Sequence, residues 1–210
     1  MKIQFLRDIE KYFKSRICKI FIDNYDFTII SNNCWGTFIY KKFGLTYQSP
    51  FINAMIFAPD YIELLEDFNN VNLENLTFIE HNKSKFIDEM KRLNIYQQGY
   101  PLGLIDGKYE INFLHYTTED EAKNKWLNRC KRINTDKLIF KFSDGDLFEE
   151  EMAYRFEKLP FKNKVLFTSK SFDTLSSNIW IKQFENHGRV HDEWKHFGKY
   201  FNIYKLINSL

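Results

Sequence analysis

The sequence is poor in the residues that build loop-rich or cross-linked folds. Among 210 residues there are only 8 glycines, 4 prolines and 3 cysteines. The cysteines are odd in number and form no Cys-x-x-Cys pair, which argues against a disulfide framework and indicates a reducing compartment. No flexible linker, internal repeat or low-complexity tract is evident. These absences predict a single domain over residues 1–210.

Long hydrophobic runs and a strong net charge are also missing. No apolar stretch approaches the roughly 18 to 20 residues that cross a bilayer, and charges interrupt positions 1–8, where a signal peptide needs an apolar run. The 30 basic and 28 acidic side chains leave a net charge of +2, so we expect no nucleic acid as partner. With 44% hydrophobic and 28% charged residues, the chain is typical of a globular protein, and we expect it in the cytoplasm.

Hydrophobic periodicity alternates between strand-like and helix-like segments along the chain. Strands are predicted at 26–31, 76–80, 137–142 and 164–168, with a hairpin around Asp106-Gly107 inside 100–116. Helices are predicted at 3–17, 35–43, 59–68, 84–93, 118–132 and 147–159. Thr118 and Glu121 have the spacing of a capping box. This order predicts an α/β fold, a three-layer α/β/α arrangement with a mostly parallel, mixed sheet and an inserted β-hairpin.

Polar residues follow each predicted strand, at the edge where open α/β sheets bind ligands. These strand ends are Ser31-Asn32-Asn33-Cys34, His81-Asn82, His115-Tyr116, Ser143-Asp144-Gly145-Asp146 and Thr168-Ser169-Lys170. Helix capping alone can explain single members of the set, such as Ser143 or Ser169. As a set, they predict a pocket at this edge. The candidate ligand-binding residues are Ser31, Asn32, Asn33, Trp35, Tyr116 and Ser169.

Cys34 is a candidate nucleophile because a thiol at a helix N-terminus can have a depressed pKa. His115 as base and Asp144 as its orienting group would complete a Cys-His-Asp arrangement, in which every member follows a strand. The alternative is structural, since free cysteines are among the most buried residue types. In that case Cys34 is a small buried residue beside Trp35.

Asp144 and Asp146 are candidate metal ligands on either side of a glycine. Two carboxylates in this spacing can hold a divalent cation, which would in turn bind a diphosphate. A turn that leads into a helix recruits the same residues, so the pattern is weak by itself. Remaining phosphate charge would need basic neighbours. Three are available in the sequence: Lys141, Lys170 and Arg129.

The segment from 172 to 210 is predicted to be a C-terminal helical appendage rich in aromatic residues. His187 and His191 are four residues apart and could share a helix face, as zinc ligands do. Without a third ligand in a known pattern, surface histidines on an amphipathic helix are the preferred interpretation. We expect the aromatic stripe to pack on the body of the domain or on a second copy, which would form a homodimer.

Several motifs together resemble a bacterial family of unknown function whose members are often described as exopolysaccharide or capsule biosynthesis proteins. The quoted segments are ISNNCWG from Ile30, a Gly44-Leu45-x-Tyr47-x-Ser49-Pro50 stretch, YPLG from Tyr100, FLHY from Phe113 and EAKNKW from Glu121. The likeness covers roughly residues 26–170. It implies a cytoplasmic protein with an α/β fold that acts in surface-polysaccharide assembly. It carries over no catalytic residues.

The functional expectation is therefore a transferase that takes an activated sugar or a related phosphorylated donor at the sheet edge. The partner would be a sugar nucleotide or a glycan-related small molecule, and a divalent cation is the candidate cofactor. The alternative is a non-catalytic carbohydrate-binding or scaffolding component, in which polar strand ends bind sugar hydroxyls and aromatic rings stack on the sugar. A third, weaker hypothesis is a hydrolase that uses Cys34 or Ser31.

Overall fold

A four-stranded parallel sheet forms the centre of the computed structural model, which describes residues 13–96 and 98–210. The strands are β1 (Thr28–Ser31), β5 (Leu138–Ser143), β6 (Lys164–Thr168) and β7 (Asn178–Trp180). Their order in the sheet is β1-β5-β6-β7, and each neighbouring pair is parallel. All four strands therefore point their carboxyl ends to one edge.

A second sheet has three antiparallel strands, β2 (Leu76–Ile79), β3 (Leu102–Ile105) and β4 (Tyr109–Asn112), in sequential order. The predicted hairpin is confirmed, with Asp106 and Gly107 both at positive φ (52° and 69°), as a tight hairpin turn requires. β2 joins this hairpin and not the parallel sheet. The predicted α/β class is confirmed, with the hairpin in a sheet of its own.

Helices cover both faces of the parallel sheet. Residues 13–20 belong to a first helix, α1. The others are α2 (Trp35–Phe43), α3 (Ala58–Glu66), α4 (Ile87–Arg92), α5 (Glu119–Cys130), α6 (Glu150–Lys158), α7 (Glu193–His196) and α8 (Ile203–Asn208). Of the predicted first helix, residues 3–12 lie outside the described residues. Short 3₁₀ turns occur at His81–Lys83, Lys182–His187 and Phe197–Lys199. No helix of the described ranges is both long enough and apolar enough to span a bilayer.

The hydrophobic core has two halves because alternate residues of each buried strand face opposite sides. Ile30, Phe140 and Leu166 pack with α3, α5 and α6 on one face. Their sequence neighbours pack with α2, α8 and the C-terminal segment on the other face: Ile29, Ile139, Val165 and Phe167. On the first face, the Tyr61 hydroxyl of α3 donates to the carbonyl oxygens of Ile30 and Lys141, both at 2.9 Å.

The C-terminal residues are part of this second face. β7 extends the parallel sheet, and α8 buries Ile203 and Ile207 against it. The predicted aromatic stripe packs on the body of the domain, with Phe197 buried beside Trp35. The segment after β7 runs across the carboxyl edge of the sheet before it reaches α8, and that course brings tail residues to the predicted pocket.

Candidate functional site

A pocket of about 230 Å³ lies at the carboxyl edge of the parallel sheet. Five chain segments line it: 32–34 after β1, 55–57 before α3, residue 114 after β4, 145–146 after β5, and 189–194 of the C-terminal segment. We call this the carboxyl-edge pocket. Its position is the one expected for a ligand site in an open α/β sheet. A wider cleft of about 510 Å³ lies at the opposite end of α2, beside Lys42 and residues 197–204.

The floor beside the pocket is a buried polar cluster centred on Lys141 and Glu193. The side chains are 0% and 2% exposed, and the Lys141 ammonium group contacts the Glu193 Oε1 atom directly. Asn33 joins both partners: its Nδ2 donates to Glu193 Oε1 at 2.7 Å, and its Oδ1 accepts from Lys141 Nζ at 2.8 Å. Ser143 Oγ adds a further donor to Glu193 Oε1 at 3.0 Å. The cluster ties β1, β5 and the C-terminal segment together.

Electrostatics in this cluster favour an ionised carboxylate. Burial alone would raise the pKa of Glu193, but Lys141 and the Asn33 donor hold it below the usual value. Burial lowers the pKa of Lys141, and Glu193 opposes that effect. We treat both groups as charged, because Lys141 Nζ has acceptor oxygens from Glu193, Asn33 and Asn32. The charge pair is internal, so it adds no net charge to the pocket.

Asp144 binds the loop after β6 to the C-terminal segment. Its Oδ2 accepts from the Ser169 backbone N–H at 2.6 Å and from Ser169 Oγ at 2.7 Å, and its Oδ1 accepts from the Val190 N–H at 2.7 Å. Burial raises the pKa of Asp144 to about 6, although these donors oppose the shift. Both predicted residues, Asp144 and Ser169, are thus at the predicted edge, bonded to each other beneath the surface.

Asp146, in contrast, lines the pocket and pairs with two arginines from different segments. Its Oδ1 lies 2.9 Å from Arg92 Nη2 at the end of α4, and it also pairs with Arg189 Nη1 of the C-terminal segment. Arg92 is in addition held by Glu89 through two bonds of 2.6 Å. The two carboxylates of the Asp144-Gly145-Asp146 turn therefore have separate sets of donors.

Asp144 and Asp146 were predicted as candidate metal ligands. Within residues 13–96 and 98–210, no group of three or more His, Cys, Asp and Glu side chains is arranged to hold a metal ion. The carboxylate oxygens of Asp144 and Asp146 accept from N–H and O–H donors. The three candidate basic residues have other partners: Lys141 pairs with Glu193, Lys170 pairs with Glu150, and Arg129 donates to the Tyr116 hydroxyl.

Cys34 lies at the N-cap of α2 and lines the pocket, half-buried. Burial raises the pKa of its thiol to about 11; the nearby Glu193 carboxylate adds to the shift, and Lys141 and Lys41 oppose it. The helix N-terminus alone would predict the opposite direction. The environment therefore favours the thiol over the nucleophilic thiolate.

The remaining predicted site residues divide between pocket and core. Asn32 and Asn33 line the pocket; Asn32 Nδ2 donates to the Ser143 carbonyl at 3.4 Å. Ser31 is buried, and its Oγ donates to Asn33 Oδ1 at 3.4 Å. Trp35 is fully buried, packed edge-on against Phe167 and Phe197, and its Nε1 is the one buried side-chain nitrogen or oxygen without a hydrogen-bond partner in the described part of the chain.

His115 and Tyr116 lie in the loop after β4, a strand of the antiparallel sheet. Tyr116 is buried in the other half of the core, where its hydroxyl donates to the Ile52 carbonyl oxygen at 2.6 Å. His115 is exposed and, among the described residues, makes no hydrogen bond or ion pair. Its neighbour Leu114 reaches the pocket because the Met55 backbone pairs with Asn112 and the Ile56 N–H donates to the Asn32 carbonyl oxygen at 2.9 Å.

The C-terminal segment supplies a different histidine. His191 lines the pocket, and its Nε2 accepts from Arg189 Nε at 3.3 Å. Partial burial and the neighbouring Arg189 hold the pKa of His191 below its usual value, which favours the neutral ring. Trp194 forms part of the rim, with its indole stacked on Phe38 at 4.5 Å between ring centroids. A neutral base and a flat aromatic ring thus border the same space.

Sequence reasoning missed most of the charged residues that form this site. Lys141 did leave a signal, since a lysine in the middle of the buried strand LIFKFS requires a buried acceptor. Glu193, Arg92 and Arg189 left none, because isolated charged residues are ordinary on a surface. Backbone strain marks the two loops that meet here: Leu147 and Asp192 have positive φ values of 63° and 46°. Strained non-glycine residues cluster at functional sites more often than elsewhere.

The chain belongs to a family described as a domain of unknown function, DUF1919, whose match covers residues 5–210. It is also 31% identical over 202 residues to an uncharacterized protein of Haemophilus influenzae strain Rd. This alignment covers 94% of this chain and 90% of the Haemophilus protein. The resemblance to a family of unknown function is thus confirmed. The matched region extends past 26–170 and includes the C-terminal segment that completes the pocket.

Proposed function

We propose that this member of the DUF1919 family is a transferase that binds an activated sugar or a related phosphorylated donor in the carboxyl-edge pocket. The observation that carries the proposal is the convergence of Arg189, His191 and the Asn32 and Asn33 segment on one pocket at the carboxyl ends of parallel strands. The proposed setting is exopolysaccharide or capsule synthesis, which rests on the sequence motifs. Three free thiols favour a reducing compartment, and we propose the cytoplasm.

The proposed reaction is the transfer of a glycosyl group to an acceptor hydroxyl. The acceptor oxygen forms a bond to the anomeric carbon while the bond from that carbon to the phosphate oxygen breaks, and the phosphate leaves with the electron pair. His191, whose pKa is held below its usual value, would take the proton from the acceptor hydroxyl on Nε2 after the Arg189 hydrogen bond to that nitrogen is released. Arg189 would neutralise charge that develops on the leaving phosphate. The buried Lys141–Glu193 pair would fix the loops that carry these groups.

Cys34 has no covalent role in this proposal, because its raised pKa leaves little thiolate at neutral pH. It would instead shape the pocket wall beside Asn33. A Cys34→Ala variant is expected to keep full transfer activity.

The first test is a thermal-shift screen of nucleotide sugars, each with and without Mg²⁺ and with EDTA. A ligand at 100 times its dissociation constant stabilises the folded state by about 2.7 kcal/mol, which such a screen detects. We expect at least one nucleotide sugar to raise the melting temperature, and transfer from that donor to follow. A screen in which no phosphorylated sugar stabilises the protein would exclude the proposal.

The second test compares two histidines of the C-terminal segment. His191→Gln is expected to lower kcat about 100- to 10,000-fold, the range typical of a lost general base. His187→Gln is the matched control, because His187 is exposed and lies outside the pocket. Equal activities of the two variants would rule out His191 as the base.

A non-catalytic carbohydrate-binding role is the second candidate, and the Trp194 ring at the rim favours it. Flat aromatic rings present an apolar face that can pack on a sugar ring. In this case neutral oligosaccharides would bind without turnover, and Trp194→Ala would abolish binding while His191→Gln would not.

A further inference from the structure

Two guanidinium groups meet at one oxygen atom on the wall of the carboxyl-edge pocket. Arg92 comes from the end of α4 and Arg189 from the segment before α7, and both contact Asp146. We infer that Arg189, supported by Arg92, forms a subsite for a phosphate or diphosphate group, with Asp146 as the resident counter-ion. This inference rests on the proposed function in one respect: it names the part of the donor that the site would hold.

Arg189 has a guanidinium nitrogen that is not engaged in a hydrogen bond among the described residues. Its Nη1 pairs with Asp146 and its Nε donates to His191, whereas no partner of its Nη2 is found among the described residues. The side chain is 31% exposed and lines the pocket, so a ligand in the pocket can approach it. Release of Asp146 would free Nη1 beside Nη2, and a guanidinium fork of this kind is the side chain best suited to two oxygen atoms of one phosphate.

Arg92 is the second, more weakly available donor. It is 56% exposed, and Glu89 already takes two of its bonds. Its contact with Asp146 brings its charge to the same side of the pocket as Arg189. We therefore expect Arg92 to add electrostatic attraction and little direct bonding.

The local charges explain why the site can exchange one anion for another. Arg92, Arg189, Glu89 and Asp146 sum to zero, and the other acidic lining residues have their own cations: Lys195 for Asp192 and Lys141 for Glu193. An incoming phosphate must compete with the Asp146 carboxylate for Arg189. Asp146 itself is 17% exposed, and its backbone oxygen accepts from the Ala58 N–H of α3 at 3.3 Å. Its carboxylate can turn away without breaking the core.

The test is calorimetric titration of the full chain with sodium pyrophosphate in EDTA at low salt. Arg189→Gln is expected to weaken binding about 10- to 100-fold, the usual effect of losing charged hydrogen bonds. Arg189→Lys keeps the charge but loses the fork, and should give an intermediate loss. Arg155→Gln is the matched control, because Arg155 makes a similar two-bond pair with Glu66 outside this pocket.

Asp146→Asn distinguishes a counter-ion role of Asp146 from a metal-binding role. If Asp146 is a competing counter-ion, removal of its charge tightens pyrophosphate binding several-fold in EDTA. If Asp146 instead holds a metal ion that binds the phosphate, the same variant weakens binding and the wild type needs Mg²⁺. Unchanged affinity in Arg189→Gln, or weaker affinity in Asp146→Asn, overturns the inference.

The outcomes separate this inference from the transferase proposal. Pyrophosphate binding that depends on Arg189, with no turnover of any sugar donor, would support the subsite and exclude the transferase. Sugar transfer with an unchanged KM in Arg189→Gln would support the transferase and exclude the subsite.

Discussion

Lys141 and Glu193 form an ion pair in the interior of the protein although they are 52 residues apart in the chain. Lys141 lies in the middle of β5, and Glu193 begins α7 on the segment that crosses the carboxyl edge. The pair therefore holds the C-terminal part of the pocket on the parallel sheet. Asn33 and Ser143 complete its hydrogen bonds.

Removal of one partner of this pair should be costly. Lys141→Met leaves the Glu193 carboxylate buried without its cation, and we expect the free energy of unfolding to fall by about 3–5 kcal/mol. The double variant Lys141→Met/Glu193→Leu should lose less than Lys141→Met alone, because no unpaired charge remains. Urea denaturation measures both. Lys125→Met, at an exposed pair with Glu121, is the control and should change stability far less than Lys141→Met.

The thiol of Cys34 should react slowly. Since burial and Glu193 raise its pKa to about 11, alkylation by iodoacetamide at pH 7.5 is expected to be slower than that of a free cysteine. Glu193→Gln removes the second cause and should speed the reaction. The Cys34→Ser variant identifies the signal that belongs to this thiol. Fast modification of Cys34 at pH 7 would contradict the assigned environment and would restore it as a candidate nucleophile.

Asp144 should make stability depend on pH in an unusual direction. Its pKa is about 6 in the folded protein against an ordinary value of 3.8, so the folded state favours the protonated form. Its contribution to stability is fully present below about pH 4 and is lost as the pH rises through about 6, a change of about 3 kcal/mol.

The measurement for Asp144 is the difference in unfolding free energy between wild type and Asp144→Asn from pH 4 to pH 7.5. The unfolding free energy of the wild type should fall relative to that of Asp144→Asn as the pH rises. Asp136→Asn, which changes an exposed aspartate, is the matched control. A difference that stays constant across this range would mean that Asp144 is not titrating there.

Gly103 in β3 should not tolerate a side chain. A Cβ at this position would lie 2.9 Å from both Leu76 Cδ1 and Phe113 Cε2 and 3.1 Å from Ile111 Cγ2. These neighbours are packed in the core, so Gly103→Ala is expected to destabilise the protein by about 1–3 kcal/mol. Gly198→Ala is the control, because nothing lies within 4 Å of its added Cβ. Thermal unfolding distinguishes the two variants. Equal melting temperatures would show that the side chains around Gly103 can move to accommodate the added methyl group.

Local features were predictable from the sequence. α2 has the predicted bounds, Trp35–Phe43, because apolar residues repeat at helical spacing and Gly44 can adopt the left-handed conformation (φ 59°) that ends the helix. Thr118 caps α5 as expected, with its Oγ1 accepting from Glu121 N–H at 3.1 Å. In each case the interacting residues lie within a few positions, so their spacing alone carries the information.

The same holds in part for the candidate site. Because parallel strands share one carboxyl edge, the residues after β1, β5 and β6 were expected together, and Asn33, Asp144 and Ser169 do lie there. His115 and Tyr116 were expected at that edge too. They lie in the loop after β4 of the antiparallel sheet, because the periodicity of a strand does not specify which strand it pairs with.

Tertiary structure alone decided what completes the pocket. β7 has only three residues and no alternating pattern, so its parallel pairing with β6 left no local signal. The approach of Arg189, His191 and Glu193 to β5 depends on the packing of the segment after β7, through contacts across about 50 residues of chain. Sequence periodicity reports which face of an element is buried. It does not report which distant element covers that face, because that choice depends on the shape and charge of the assembled core.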